Sequence, residues 1–194
     1  MLFRSDVLFA SLYRCGLAAQ LTSTAAGDGQ RLIGARMVAA VRCAPPVNKP
    51  SVTERDTCAP WLEAEFALVA HSVRVIVCLG GFAWQAAWPM LRSAGFAMPR
   101  PRPKFGHGIE VTLAAPPGLA APAGPAAPAG PAAPAGPAAP AGPAAPAGLA
   151  APAGAGGQVL LLGCYHPSQQ NTFTGRVTPA MLDDVFGRAS RVAA

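Results

Sequence analysis

The chain has 194 residues, with 15 Lys+Arg against 9 Asp+Glu and a formal net charge of +6. Only 12% of it is charged and 52% is apolar, while 22 Pro and 21 Gly put more than a fifth of it into turn and linker chemistry that no helix bundle absorbs. Its longest Leu/Val/Ile/Phe-rich runs, Val73 to Leu79 and Val159 to Leu162, are far shorter than the roughly 20 residues that span a bilayer, so neither an all-α fold nor a membrane-spanning one is expected.

The amino-terminal stretch MLFRSDVLFA carries a charge pair inside its apolar run and no small-residue cleavage site. It does not read as a secretory signal, and a cytoplasmic protein is expected. Cys15, Cys43, Cys58, Cys78 and Cys164 make an odd number of cysteines. In a reducing compartment that favours core thiols or metal ligands over a disulfide framework.

In chain order, a first helix is expected near Asp6, carrying Leu8, Leu12 and Leu17. Arg36 to Arg42 (RMVAAVR) is a short apolar run suited to a buried parallel strand. The loop after it is proline-braced, and Cys43 and Cys58 bracket it together with the first turns of the next helix. Pro50-Ser51 followed by Glu54 is a Ser-x-x-Glu capping box, which opens a helix through Leu62, Phe66 and Val69. Arg74 to Gly80 (RVIVCLG) reads as a second buried strand, with a helix from Phe82 to Ala94 after the pair Gly80-Gly81.

Arg100, Arg102 and Lys104 form a proline-braced basic cluster. His107 to Ala115 (HGIEVTLAA) alternates weakly, as an outer strand would, and runs into a low-complexity tract over residues 116–157. Within that tract LAAPAG begins at Leu119, PAAPAG at Pro125, Pro131, Pro137 and Pro143, and LAAPAG again at Leu149. Two prolines in most hexads forbid helix and strand continuity, and glycine does not fall at every third position, so the tract reads as a disordered, partly polyproline-II insertion and not as collagen. Lengthening a loop from about 6 to about 42 residues costs only about 1.7 kcal/mol of closure entropy. One host domain over residues 1–194 can therefore carry it between two neighbouring strands.

Gln158 to Cys164 (QVLLLGC) is the third buried strand, and Thr178-Pro179 cap a last helix that carries Asp183 and Asp184. Strand and helix signals alternate, so the expected fold is a three-layer α/β/α sandwich with a short, mostly parallel central sheet. Cys164 to Arg176 (CYHPSQQNTFTGR) directly follows the third strand. In an open parallel sheet, ligands bind beyond the carboxyl ends of strands, which puts His166 where a catalytic residue is expected. Trp61, Trp84 and Trp88 read as helix-packing residues, Cys78 and Cys164 as core thiols, and His71 and His107 as surface or packing histidines.

Val41 to Trp61, with RCAPPVNKP, Val77 to Trp84 (VCLGGFAW), Pro103 to His107 (PKFGH) and Leu162 to Thr174 (LGCYHPSQQNTFT) together resemble the type-5 uracil-DNA glycosylases, iron-sulfur members of the uracil-DNA glycosylase superfamily. The resemblance runs from about Ser5 to Phe186. It implies removal of uracil and other deaminated bases from double-stranded DNA by hydrolysis of the N-glycosidic bond, by a monomer and away from membranes. His166 would stabilise the charge that develops on the departing base, and Asn48 would line the base pocket. Lys49, Arg100, Arg102, Lys104 and Arg176 would meet DNA phosphates. Ser168, Gln169, Gln170 and Asn171 belong to the segment Gln169 to Phe173 and its approach, expected as a wedge loop.

The resemblance also implies a 4Fe-4S cluster on four cysteines. Cys43 and Cys58 match the second pair; the amino-terminal Cys-x-x-Cys and the Gly- and Thr-rich motif with its water-activating aspartate are not in this sequence. Asp6 matches a later aspartate and does not inherit that role. Three readings follow: a fragment from a misplaced start codon, a genuine short form or decaying gene product with little activity, or a rebuilt site in which Cys15 or another thiol completes the cluster; the rival function is that of a truncated remnant that binds DNA without catalysis.

Overall fold

The computed structural model describes residues 5–43, 45, 49–117 and 157–194. Their elements are α1 (Ser5–Arg14), α2 (Val52–Val69), β1 (Val75–Leu79), α3 (Gly81–Ser93), β2 (Glu110–Ala114), β3 (Gln158–Cys164), α4 (Gln169–Phe173) and α5 (Pro179–Ala193). The three strands form one sheet in the order β1-β3-β2. β1 pairs with β3 in parallel and β2 pairs with β3 antiparallel.

The sheet is therefore mixed and not mostly parallel. β2 and β3 are consecutive neighbours, and neighbours that follow one another directly pair as a hairpin, whereas a parallel pair needs a crossover. Ala115 N–H donates to Gly157 O at 2.6 Å, which extends this hairpin to the base of the low-complexity tract. The expected disorder of that tract lies outside the described residues, apart from its flanks at 116, 117 and 157.

β3 is the central strand, buried on both faces from Val159 to Cys164. Alternation along it divides the core in two. Val159 and Leu161 join Cys78, Phe66, Trp84, Trp88 and Leu91 on the side of α2 and α3. Leu160, Leu162 and Cys164 join Leu8, Leu12, Leu182, Val185 and Phe186 on the side of α1 and α5. Trp84 and Trp88, one turn apart on α3, meet edge to face at 5.3 Å, as their spacing implies.

The expected helix starts hold. Ser51 caps α2 in a complete capping box with Glu54, and Thr178 caps α5 with Pro179 in the first turn. Leu17 lies beyond α1, where its N–H closes the helix end on Leu12 O at 2.8 Å. On the other side of the chain, Arg14 and Ser11 of α1 both bind Asp183 of α5, and these bonds hold the Asp183 carboxyl below its ordinary range.

The strand expected over Arg36 to Arg42 does not form. Met37 and Val38 are exposed, and Arg36 and Arg42 both pair with Glu65 of α2, so the charged ends of the run are drawn along that helix. Trp61 is also a correction: it is 63% exposed on the outer side of α2 and packs no core.

Candidate functional site

The register brings three loops to one end of the sheet. Parallel pairing puts Leu79 beside Cys164, so the Gly80-Gly81 turn and the Tyr165-His166 segment leave the sheet together. Antiparallel pairing puts Glu110 beside Leu162, which delivers the turn 105–109 to the same end. α3 starts at Gly81, so its amino terminus, with its unpaired N–H groups, faces this junction. Arg55 reaches Gln85 at 3.5 Å and Glu63 reaches Ser93 at 3.0 Å, a constant offset that makes α2 run in the same direction as α3. Lys49, exposed just ahead of the α2 cap, is thereby carried toward the α3 amino end.

His166 stands at the centre of this junction, half-buried, and burial pushes its imidazole pKa below the ordinary histidine value. The lowered value favours the neutral imidazole, which carries one N–H donor. Its backbone is tied on both sides. Gly80 N–H donates to Cys164 O at 2.7 Å, and His166 O accepts from Ser168 N–H and from Asn171 Nδ2, both at 2.8 Å. Gly80 has φ +93°, which favours glycine, and a Cβ there would lie a tight 3.3 Å from the Cβ of His166.

A run of aromatic contacts links the 105–109 turn, Tyr165 and α3. Tyr165 lies 6.0 Å from Phe105 and 5.2 Å from His107, and Phe105 lies 6.1 Å from Trp84, whose indole N–H donates to Pro103 O. Arg176 sits over the Tyr165 ring at 5.0 Å, and Arg102 over Trp88 at 5.7 Å. Arg100, Arg102, Lys104 and Arg176 are all exposed. Asn48 lies outside the described residues.

The segment expected as a wedge loop is a short helix, α4. Ser168 caps it by accepting from Asn171 N–H at 3.3 Å, a local bond that turns the chain helical straight after Pro167. Phe173 ends it 69% exposed and Gln170 is exposed, whereas the Asn171 amide points inward to the His166 carbonyl. His107, expected as a packing residue, accepts the Tyr165 N–H on Nδ1 at 3.1 Å. Its place in the PKFGH segment was the one signal for it; contact with Tyr165 depends on long-range pairing that spacing does not reveal.

The cysteines do not assemble a cluster site. Cys43 is exposed and Cys58 buried, and among the described residues no group of three or more His, Cys, Asp or Glu is placed to hold a metal. A 4Fe-4S cluster takes four thiolates, so the described residues do not fit it. Cys15 packs toward α5 and donates to Asp183 O, on the opposite side of the sheet from α2 and Cys58, which overturns its role as a replacement ligand. Burial pushes the Cys78 and Cys164 thiols up to about 12, as inert core residues. Among the described residues no helix is long and apolar enough to cross a membrane.

Comparison with known proteins agrees with the motifs. The type-5 uracil-DNA glycosylase of Mycobacterium bovis is 45% identical over 188 residues, which are 97% of this chain and 53% of that protein. That of Mycobacterium leprae is 42% identical over 188 residues, 97% of this chain and 62% of its own. The Thermus thermophilus protein is 33% identical over 186 residues, 96% of this chain and 63% of its own. The chain thus spans between about half and just under two thirds of the length of these relatives. The family model described as the Uracil DNA glycosylase superfamily matches residues 3–188, and the chain belongs to that superfamily.

Proposed function

We propose that the chain carries the base-releasing half of a uracil-DNA glycosylase site and removes uracil, and other deaminated bases, from double-stranded DNA as a monomer. The observation that carries this reading is His166, neutral and braced at the carboxyl end of the central strand, in a chain of this superfamily. In this reading the helices on the two sides of the sheet complete a three-layer sandwich that holds the site rigid.

Breaking an N-glycosidic bond leaves negative charge on the departing base and positive charge on the sugar. A preorganised donor aimed at the developing anion is usually the largest single contribution to such a step. His166 supplies that donor as an uncharged N–H, which avoids setting a second cation beside the sugar. The base must first leave the stack, at a cost of a few kcal/mol. Phe173 and Gln170 on α4 are exposed beside His166 and suit the space the base vacates. Asn48 lines the base pocket. Lys49, Arg100, Arg102, Lys104 and Arg176 hold the phosphates, and Ser168, Gln169 and Asn171 shape α4 against the duplex.

The test is a labelled duplex with one uracil, treated with the protein and then alkali, beside His166→Ala. Cleavage that is lost in His166→Ala is the expected result. Absence of cleavage by a chain that still binds the duplex would replace this reading with that of a noncatalytic DNA-binding form.

A further inference from the structure

β3 makes its last backbone rungs toward β2 through Gly163: its N–H donates to Ile109 O at 2.9 Å and its carbonyl accepts Gly108 N–H at 2.8 Å. The next N–H on that side belongs to Tyr165, two residues on, because donors alternate along a strand. There the neighbouring chain has already turned at residues 107–108. The acceptor is the side chain of His107, through Nδ1 at 3.1 Å. Cys164 is held by Gly80 and His166 by Ser168 and Asn171; between them His107 takes the Tyr165 N–H, while the Tyr165 carbonyl accepts from Cys164 Sγ at 3.5 Å.

We infer that His107 is a positioning residue for the glycosylase reaction: a neutral imidazole, protonated on Nε2, that serves as the last rung of the sheet and sets the direction in which His166 leaves it. An acceptor nitrogen carries no hydrogen, so the bond fixes the tautomer; an imidazolium has N–H groups at both positions and cannot accept. The ring also packs on Tyr165 at 5.2 Å with a 40° tilt. Arg176 faces the same tyrosine ring. Catalytic geometry is steep, and a shift of about 1 Å at a reacting group costs about a hundredfold in rate. The inference rests on the proposed function for its kinetic consequence, though not for the bond itself.

Two variants separate the bond from the packing. His107→Asn keeps an acceptor and loses the ring; His107→Phe keeps a ring and loses the acceptor. Single-turnover uracil release is expected to fall about tenfold to a hundredfold in His107→Phe, with duplex affinity unchanged, and to stay within about threefold in His107→Asn. Equal rates for the two, or the reverse order, would overturn the inference. Nitrogen-15 spectra of the full chain read the bond without any reaction: His107 should show an unprotonated Nδ1, and the Tyr165 amide should exchange slowly in the unsubstituted protein and in His107→Asn but fast in His107→Phe. A protonated Nδ1, or Tyr165 exchange indifferent to both variants, would overturn it equally. If the unsubstituted chain releases no uracil, the functional reading fails and the spectra alone decide the role of His107.

Discussion

Gly163 lies directly against the Gly106 carbonyl: a Cβ on Gly163 would fall under 3.0 Å from that oxygen and 2.7 Å from Ile109 Cγ2. This contact lets the 105–109 turn fold over the end of β3 and carry His107 to Tyr165. The site is therefore built on a backbone approach that only a residue without a side chain permits.

Gly163→Ala should consequently destabilise the fold more than an ordinary surface change. The clash is with backbone, which cannot swing aside, and overpacking of this kind costs about 1–3 kcal/mol or more. The check is the midpoint of denaturant unfolding, which should fall at unchanged slope. A variant as stable as the parent would mean that the turn yields freely.

His166→Ala should reduce single-turnover uracil release by about a hundredfold to a thousandfold, the usual effect of removing one charge-stabilising donor. Duplex affinity should change little, since in the proposed reading the phosphates would be met by Lys49, Arg100, Arg102, Lys104 and Arg176. A parallel loss of binding and rate would make His166 a binding group instead.

The same residue makes stability depend on pH. Burial holds the folded His166 pKa below its unfolded value, so as pH falls through the ordinary histidine range near about 6.5 the unfolded chain takes up a proton first. Stability is fully present above that range and is lost progressively toward the lowered folded pKa. Urea titrations at pH 7.5 and about pH 5.5 should show a decline that His166→Gln removes in part. The comparison isolates His166 from the carboxylates, such as Asp183, that also lose stability on acidification.

Replacing residues 118–156 with a two-residue Asn-Gly turn should leave both uracil release and thermal stability near those of the parent. β2 and β3 reach the tract at Ala114 and Gln158, the opposite end of the sheet from His166, and a seven-residue strand spans about 20 Å. Loss of activity in a folded deletion would show that the tract works at the site despite its attachment.

Much of this protein was decided by its sequence alone. The helix starts at Ser51 and Thr178 follow from side chains that cap their own backbone within three residues, and β1 and β3 follow from compact apolar runs. Such features are local, so neighbours in the chain suffice to read them. The HPS segment likewise points to His166 through its resemblance to the family. Tertiary structure alone decided the rest. Arg36 to Arg42 has a strand's composition, yet Glu65 on α2 captures its two arginines. The Ser168 cap that makes the wedge segment helical is by contrast local, three residues from its partner Asn171. His107 meets Tyr165 across 58 positions because β2 and β3 pair in one register. A hydrogen-bond partner that distant is set by strand pairing and by the glycine that lets two backbones touch, and neither leaves a pattern in the residues next to His107.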